Sequence, residues 1–353
     1  MNFVCYSHWH QLPDSANALF ERTEKDSVFF SRPWLARVAA ETVDGDQTLL
    51  LACVVAGNKV MAILPLMKNF GKTWYPIKHS YTPLFSLLLA DDDQQRVLAC
   101  LAQGLSLLPF SGVLLEPVAN DGSNLAAFQR AMEAAGFSCD HAFRHYNWVH
   151  RVPGQSFEDY MAARPAILRN TIARKQRKLE REHGYEIRLY TGDDAPQAMP
   201  DYYACYSASW KGHEQNVGFM NDIVDSFSKA GWTRLALLYI KGEPAAAQLW
   251  FVHQGKANIF RLAYDEAWKR YSPGSILTSF LMQYAIDTDK VEEIDFLTGN
   301  DAYKQEWMSE RRELYVLCCI KNARPVSKYE RLVESLKRML SWKTGSTKGV
   351  NAL

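Results

Sequence analysis

Apolar positions along this chain fall either in short continuous runs or at a spacing of three and four, and the two take turns. Short apolar runs mark Thr48 to Val55 and Lys59 to Met67, joined by Gly57-Asn58, whose residues favour positive φ; the pair reads as a β-hairpin. Leu84 to Leu89 and Gly112 to Pro117 are further strand-like runs. Spacing by three and four marks helices instead. One is opened by Ser31-Arg32-Pro33-Trp34 and runs through Ala40, with Trp34, Leu35 and Val38 on its apolar face. Another covers Gln94 to Leu107 behind Asp91-Asp92-Asp93, acids at the favourable end of the helix dipole. A third covers Asn124 to Ala135 and is closed by Gly136.

The second half repeats the order of helix, hairpin, strand, helix and strand, without sequence identity that would mark a repeat. Ser156 caps a helix carrying Phe157, Tyr160 and Met161. A basic helix follows Arg164-Pro165, with Arg169, Arg174, Lys175, Arg177, Lys178 and Arg181. Its charge reads either as a solvated face or as an electropositive wall for an anion. Tyr185 to Tyr190 is a strand, and Tyr202 to Trp210 a helix with an aromatic face. Leu235 to Ile240 and Ala245 to His253 form a hairpin about Lys241-Gly242-Glu243-Pro244. The strand Asn258 to Tyr264 leads to Tyr271-Ser272-Pro273-Gly274-Ser275, then to a helix carrying Ile276, Leu277, Phe280, Leu281, Tyr284 and Ala285, then to the strand Glu292 to Leu297. Leu314 to Ile320 is a last strand. Tyr329 to Trp342 is a basic amphipathic helix, expected to pack on the body, with peripheral membrane contact as the alternative. Lys343 to Leu353 reads as a disordered tail.

Composition narrows the class. The 353 residues are 48% hydrophobic and 22% charged, with a net charge of +1, so no global field argues for nucleic acid. Seven cysteines form no C-x-x-C pair and read as buried, reduced thiols. No basic-then-apolar leader and no uncharged apolar run long enough to span a membrane is visible, so a cytoplasmic location is expected. His8-Trp9-His10 has no third ligand at regular spacing, and no metal is expected. Gly-x-Gly-x-x-Gly after a strand and Gly-x-Ser-x-Gly are both absent, which argues against a dinucleotide dehydrogenase and a serine hydrolase.

The Ser272–Ile276 stretch is the candidate anion site. Ser272 is a good helix N-cap, Pro273 suits the first helical position, and Gly274 presents no side chain. A phosphate could reach the N–H groups of Gly274, Ser275 and Ile276. An ordinary capped helix is the plain alternative. Beyond it, Tyr264-Asp265, Tyr271-Ser272-Pro273-Gly274, Asp295-Phe296, Gly299 and Tyr303-Lys304 together resemble the C-terminal half of the Fem-like branch of the GNAT acyltransferases, which includes cellulose-biosynthesis-type proteins. The resemblance runs from about Phe29 to Leu317 and is densest between Leu235 and Trp307. One departure concerns the Gln/Arg-x-x-Gly-x-Gly/Ala pattern of simple GNAT enzymes, where Tyr271 replaces the first residue and Ile276 the last.

The resemblance implies an α/β fold of two tandem GNAT-like domains, each a mixed central sheet flanked by helices. It places an N-terminal domain without donor site at 1–150, a C-terminal acyltransferase domain at 151–325, and the basic helix and tail at 326–353. It implies an N-acyltransferase using acyl-CoA or an acyl carrier protein as donor and a small-molecule or envelope-precursor amine as acceptor. Aminoacyl-tRNA-dependent peptidyl transfer and a non-catalytic GNAT-fold binding protein are the alternatives. The donor would lie against Leu262, Ala263, Tyr264, Ser272, Gly274, Ser275 and Ile276. Asp295 would take the amine's proton or anchor the following loop, and Tyr303 would protonate the leaving thiolate or pack against Trp307. Lys304 would bind a phosphate or carboxylate, and Trp210, Lys211 and Arg261 would line the acceptor cleft.

Overall fold

A computed structural model of the chain describes residues 1–42, 48–68, 72–119 and 123–321. The helix expected at Tyr329 to Trp342 and the tail after it lie outside the described residues. In chain order the strands are β1 (Asn2–Tyr6), β2 (Thr48–Ala56), β3 (Lys59–Lys68), β4 (Thr73–Pro76), β5 (Leu88–Leu89), β6 (Gly112–Ala119), β7 (Phe137–Arg151), β8 (Glu186–Tyr190), β9 (Thr233–Ile240), β10 (Glu243–His253), β11 (Lys256–Tyr264), β12 (Glu293–Thr298) and β13 (Glu310–Lys321).

Two compact units divide these elements. Among the described residues the first holds those of Met1–Phe20, Thr42–His145 and 313–321. Its strands run β1-β2-β3-β4-β6-β13. The first three pairings are antiparallel, β4 to β6 is parallel, and β6 to β13 is antiparallel. The second unit holds Glu21–Glu41 and Tyr146–Arg312. Its strands run β8-β9-β10-β11-β12-β7 with the same succession: three antiparallel pairings, one parallel, one antiparallel. A parallel pair cannot be joined by a tight turn. The helices Gln94–Leu107 and Pro273–Gln283 supply the two crossovers.

Neither unit is one uninterrupted stretch. The last strand of the first unit, β13, follows the whole second unit in sequence, and the segment 21–41 precedes most of the first. Local periodicity marks each strand and helix but carries no information about which sheet a distant segment joins. Trp34 shows why 21–41 belongs where it does. It is fully buried, edge-on to Phe219 at 5.6 Å and Phe260 at 5.7 Å, and tilted on Phe227 at 6.3 Å. Phe29 adds a contact to Trp34 at 4.8 Å. The Ser31 hydroxyl accepts from the Trp34 N–H at 3.5 Å, at the start of the helix Arg32–Thr42.

Several local expectations change. Only Leu88–Leu89 of the run Leu84 to Leu89 is strand, paired to β3, while Phe85 bridges to Val118 of β6. Of the cysteines only Cys53, Cys205 and Cys319 are buried; Cys5 is exposed, the others are half-buried, and none is in a disulfide. Cys318 and Cys319 do alternate across β13, as successive strand residues must.

Trp34→Ala removes a fully buried indole from an aromatic cluster. It is expected to destabilise the second unit by about 3–5 kcal/mol, read as a fall in denaturant midpoint; a change below about 1 kcal/mol would show that 21–41 is peripheral to that core.

Candidate active site

The helix Pro273–Gln283 begins in a way its sequence does not announce. Ser272 sits in the left-handed region (φ 54°, ψ 50°) and makes no side-chain cap, contrary to the capping expected of it. The cause is the turn Glu266–Tyr271 just before it: the Ser272 N–H closes that turn on the Lys269 carbonyl at 3.0 Å, and the chain must then reverse into the helix. Pro273 is buried at the first helical position. The Ser275 and Ile276 N–H groups both donate to the Ser272 carbonyl, at 3.1 and 3.2 Å. With Pro273 lacking an N–H, Gly274 supplies the one first-turn amide left for an anion. Three amides were expected. Gly274 also answers a steric demand, since a Cβ there would lie 3.2 Å from the Tyr264 ring. Its carbonyl accepts from Gln248 Nε2 at 3.0 Å and from the Thr278 hydroxyl at 2.9 Å, which ties the helix to β10.

The parallel ladder between β11 and β12 is short. It covers Lys256–Glu293, Ala257–Ile294 and Asn258–Asp295 and then ends, although β11 runs on to Tyr264 and β12 to Thr298. Past Asn258 the two strands splay and expose backbone. Two ammonium groups occupy the exposed carbonyls. Lys211 Nζ donates to the Leu262 carbonyl at 2.6 Å on the β11 side. Lys304 Nζ donates to the carbonyls of Phe296 at 2.9 Å, Leu297 at 3.4 Å and Thr298 at 2.7 Å on the β12 side. All three Lys304 donors are thus engaged. The structure gives this lysine a strand to hold rather than a phosphate.

Asp295 anchors the same turn. Its Oδ1 accepts from the Leu297 N–H at 2.6 Å, and its Oδ2 from Asn147 Nδ2 at 3.0 Å. Leu297 is thereby held at φ 55°, and Gly299 follows at φ 124° with its Cβ position 3.0 Å from Lys304 Nζ. Burial pushes the Asp295 carboxyl up to about 6, although both hydrogen bonds and the Arg312 charge favour the ionised form. The side chain is a carboxylate at neutral pH with both oxygens occupied, which fits the loop-anchor reading.

Lys211 differs. The residue is exposed, and its ammonium lies 5.3 Å from the Trp210 ring and 5.5 Å from the Tyr206 ring. Desolvation there, with the charges of Arg261 and Lys304, pushes it down to about 8. Arg261 stacks on Phe260 at 5.5 Å. Trp210 is half exposed and packs on Tyr264 at 4.9 Å, so it walls the mouth beside Gly274. Ala263 is buried, and its carbonyl meets Cys205 Sγ at 3.8 Å. Tyr303 is 40% exposed, its ring 6.2 Å from Phe296 rather than on Trp307. Burial and the nearby Asp301 raise its hydroxyl above the usual phenol range, so it stays protonated.

The expected residues therefore gather in two groups: Trp210, Lys211, Leu262, Tyr264 and Gly274 on the β11 side, and Asp295, Tyr303 and Lys304 at the end of β12. Sequence reasoning missed Asn147, Gln248 and Thr278. Gln248 and Thr278 carried a weak signal, being polar positions within otherwise apolar strand and helix faces; Asn147 carried none.

Comparison with known proteins now bears on this arrangement. Residues 167–305 match the family model described as an acetyltransferase (GNAT) domain. That stretch, less than half of the chain, is similar to a GNAT domain. The match includes the crossover helix, the splayed strands and both lysines. No curated protein matches the chain by sequence. Among solved structures, FemX is similar at TM-score 0.64 and 10% identity, with 90% of this chain and 97% of that one covered. The C-terminal domain of a proposed lysylphosphatidylglycerol synthetase from Agrobacterium fabrum is similar at TM-score 0.54 and 12% identity, covering 87% and 93%. L-PGS from Bacillus licheniformis is similar at TM-score 0.50 and 12% identity, covering 86% and 90%. These likenesses show the fold alone, an α/β architecture similar to that of FemX. Among the described residues no group of three or more metal-binding side chains comes together.

Because its folded pKa is raised above the ordinary 3.8, Asp295 binds its proton more tightly in the native state. Its contribution to stability is full below that value and is lost as pH rises through about 6. The stability of the protein relative to its Asp295→Asn variant is expected to fall between about pH 4 and about pH 7, measured by chemical denaturation at stepped pH. Parallel pH curves for the two proteins would mean that the carboxyl is not desolvated.

Proposed function

We propose that the protein is an N-acyltransferase that moves an acyl group from a phosphopantetheine-type thioester to an amine. The observation that carries this reading is the interrupted β11–β12 ladder headed by Gly274. It opens the end of β11 away from β12, where an extended thiol arm can lie, and leaves one amide for its phosphate. The transfer needs the amine nitrogen to attack the thioester carbonyl, the C–S bond to break, and a proton to leave the nitrogen. Lys211 is the group on the β11 side that exchanges a proton near neutral pH, so it takes that proton in its neutral form. Tyr303, still protonated, is the candidate to give one to the leaving thiolate. Asp295 and Lys304 act as positioning residues, holding the splay open from the β12 side.

Transfer of an aminoacyl group from tRNA is the second reading. The names of the lysylphosphatidylglycerol synthetase relatives favour it, and so do the exposed arginines of the helix Ala166–His183. A carried tRNA body requires many phosphate contacts and a steep fall of affinity with salt. The near-neutral segment from Gly212 to Gly231 adds nothing to such a surface.

The test is release of free thiol from acyl-CoA and from acyl-pantetheine over a panel of amines. Lys211→Met is expected to lower turnover by about 10²–10⁴ while leaving the melting temperature unchanged. In the unaltered protein the rate should rise with pH through about 8, as the Lys211 amine loses its proton. A flat pH profile, or full activity in Lys211→Met, would remove this lysine from the proton path; absence of thiol release with every donor would sink the thioester reading.

A further inference from the structure

The outer face of the helix Ala166–His183 takes no part in the acyl site. Leu168, Ile172 and Leu179 bury its inner side. Arg174, Arg177 and Arg181 stand at i, i+3 and i+7 on the opposite side, and all three are exposed. Lys175 and Lys178 turn to a different flank, where Lys175 donates to the Arg270 carbonyl and Lys178 lies 5.3 Å from the centre of the Tyr271 ring. Arg270 is itself exposed and donates to the Tyr271 hydroxyl at 2.6 Å, four positions before Gly274. A strip of cations therefore runs from the outer face of one helix to the beginning of the next.

Carboxylates do not cancel it. Arg174 and Arg177 lie within ion-pair distance of none among the described residues. Arg181 meets Glu182 at 3.2 Å, but Glu182 also accepts from the Tyr271 hydroxyl at 2.8 Å. Glu180 is exposed on the same helix, and Glu266 is engaged with Lys269 at 3.3 Å. Like charges three and four apart weaken a helix. The stripe works against its own helix and favours a partner that neutralises it.

The geometry points to this strip as the docking face for an acidic acyl carrier protein, an inference that rests on the thioester reading above. Two features favour a carrier over free coenzyme A and over RNA. The helix start offers one available amide, which suits the single phosphate of a phosphopantetheine arm better than the pyrophosphate of coenzyme A. The Arg174–Arg181 stripe spans about 10 Å, seven residues at 1.5 Å each, which matches a short acidic helix and not the long series of phosphates on a tRNA. The arm's phosphate is bonded directly to the carrier, so a phosphate at Gly274 brings the carrier's surface against Arg270 and its neighbours. Electrostatic pairing of this kind speeds encounter and fixes orientation.

The experiment compares the full-length protein with R174E/R177E/R181E and with the milder R174Q/R177Q/R181Q. Three probes are titrated by fluorescence anisotropy across a salt series: an acyl carrier protein whose arm bears a non-hydrolysable acyl group, the same acyl-phosphopantetheine without protein, and bulk tRNA. The carrier is expected to bind, to weaken with salt, and to lose about tenfold or more in affinity to the charge-reversed variant and less to the neutral one. The free arm should bind all three proteins equally, which also shows that the variants remain folded. Equal binding of the carrier to all three proteins would overturn the docking face. So would tRNA binding that the arginines control in place of carrier binding. Binding of the free arm without binding of the carrier would overturn the docking face while leaving the thioester reading intact, and binding of neither would remove both.

Discussion

The break in the parallel ladder after Asn258 and Asp295 is the constraint on which the second unit depends. Two adjacent parallel strands normally satisfy each other along their length, and an opened pair leaves backbone groups that water or side chains must satisfy. Here side chains meet the demand. Lys304 takes three carbonyls of β12, Lys211 takes one of β11, and Asp295 holds the Leu297 N–H. Each of these groups is charged and partly or wholly withdrawn from water, and each has its pKa displaced by that withdrawal. The perturbed titrations are thus a consequence of keeping the strands apart. They follow from the opening whatever its ligand, which is why position, and not titration alone, separates Lys211 from the other two.

That separation runs through hydrogen-bond capacity. An ammonium has three donors, and Lys304 uses all of them on its own strand. The Asp295 carboxyl holds a backbone N–H with one oxygen and the Asn147 amide with the other, which fixes it to its own turn. Lys211 makes a single backbone hydrogen bond, to Leu262, is exposed and stands beside the half-exposed Trp210. It can exchange a proton without dismantling the fold.

Much of the architecture was legible in the chain. The helix at Gln94–Leu107, the hairpins about Gly57 and Gly242, and the amphipathic helix after Pro273 all follow from local periodicity and turn chemistry, which act over a few residues. The residues near the site were legible only through resemblance. Their roles were less so, because each is set by a partner far away in sequence. Asn147 reaches Asp295 across 148 positions, and Lys211 reaches Leu262 across 51. Ser272 failed as a cap for a similar reason: the turn before it fixed its backbone in the left-handed region, and a propensity scale for isolated caps does not contain that turn.

The two units show how one topology yields different surfaces. Both have three antiparallel pairings, a parallel pair and a final antiparallel one, and in both the parallel ladder is short. In the first unit β4 and β6 pair only at Thr73–Gly112 and Trp74–Val113. There the chain itself covers the edge beyond: Phe85 bridges to Val118 and donates its N–H to the Pro117 carbonyl at 2.8 Å. The buried Glu116 sits between Lys78 at 2.6 Å and Arg144 at 3.2 Å. In the second unit no strand crosses the corresponding edge among the described residues, and lysine side chains cap it instead. A main-chain bridge is continuous with its neighbours and opens only if the loop unfolds. A lysine tip is held by one to three hydrogen bonds and can swing away on its flexible stem. The difference between a sealed opening and a usable one therefore comes down to what satisfies the same few carbonyls, and this gives a physical reason to place the candidate site in the second unit.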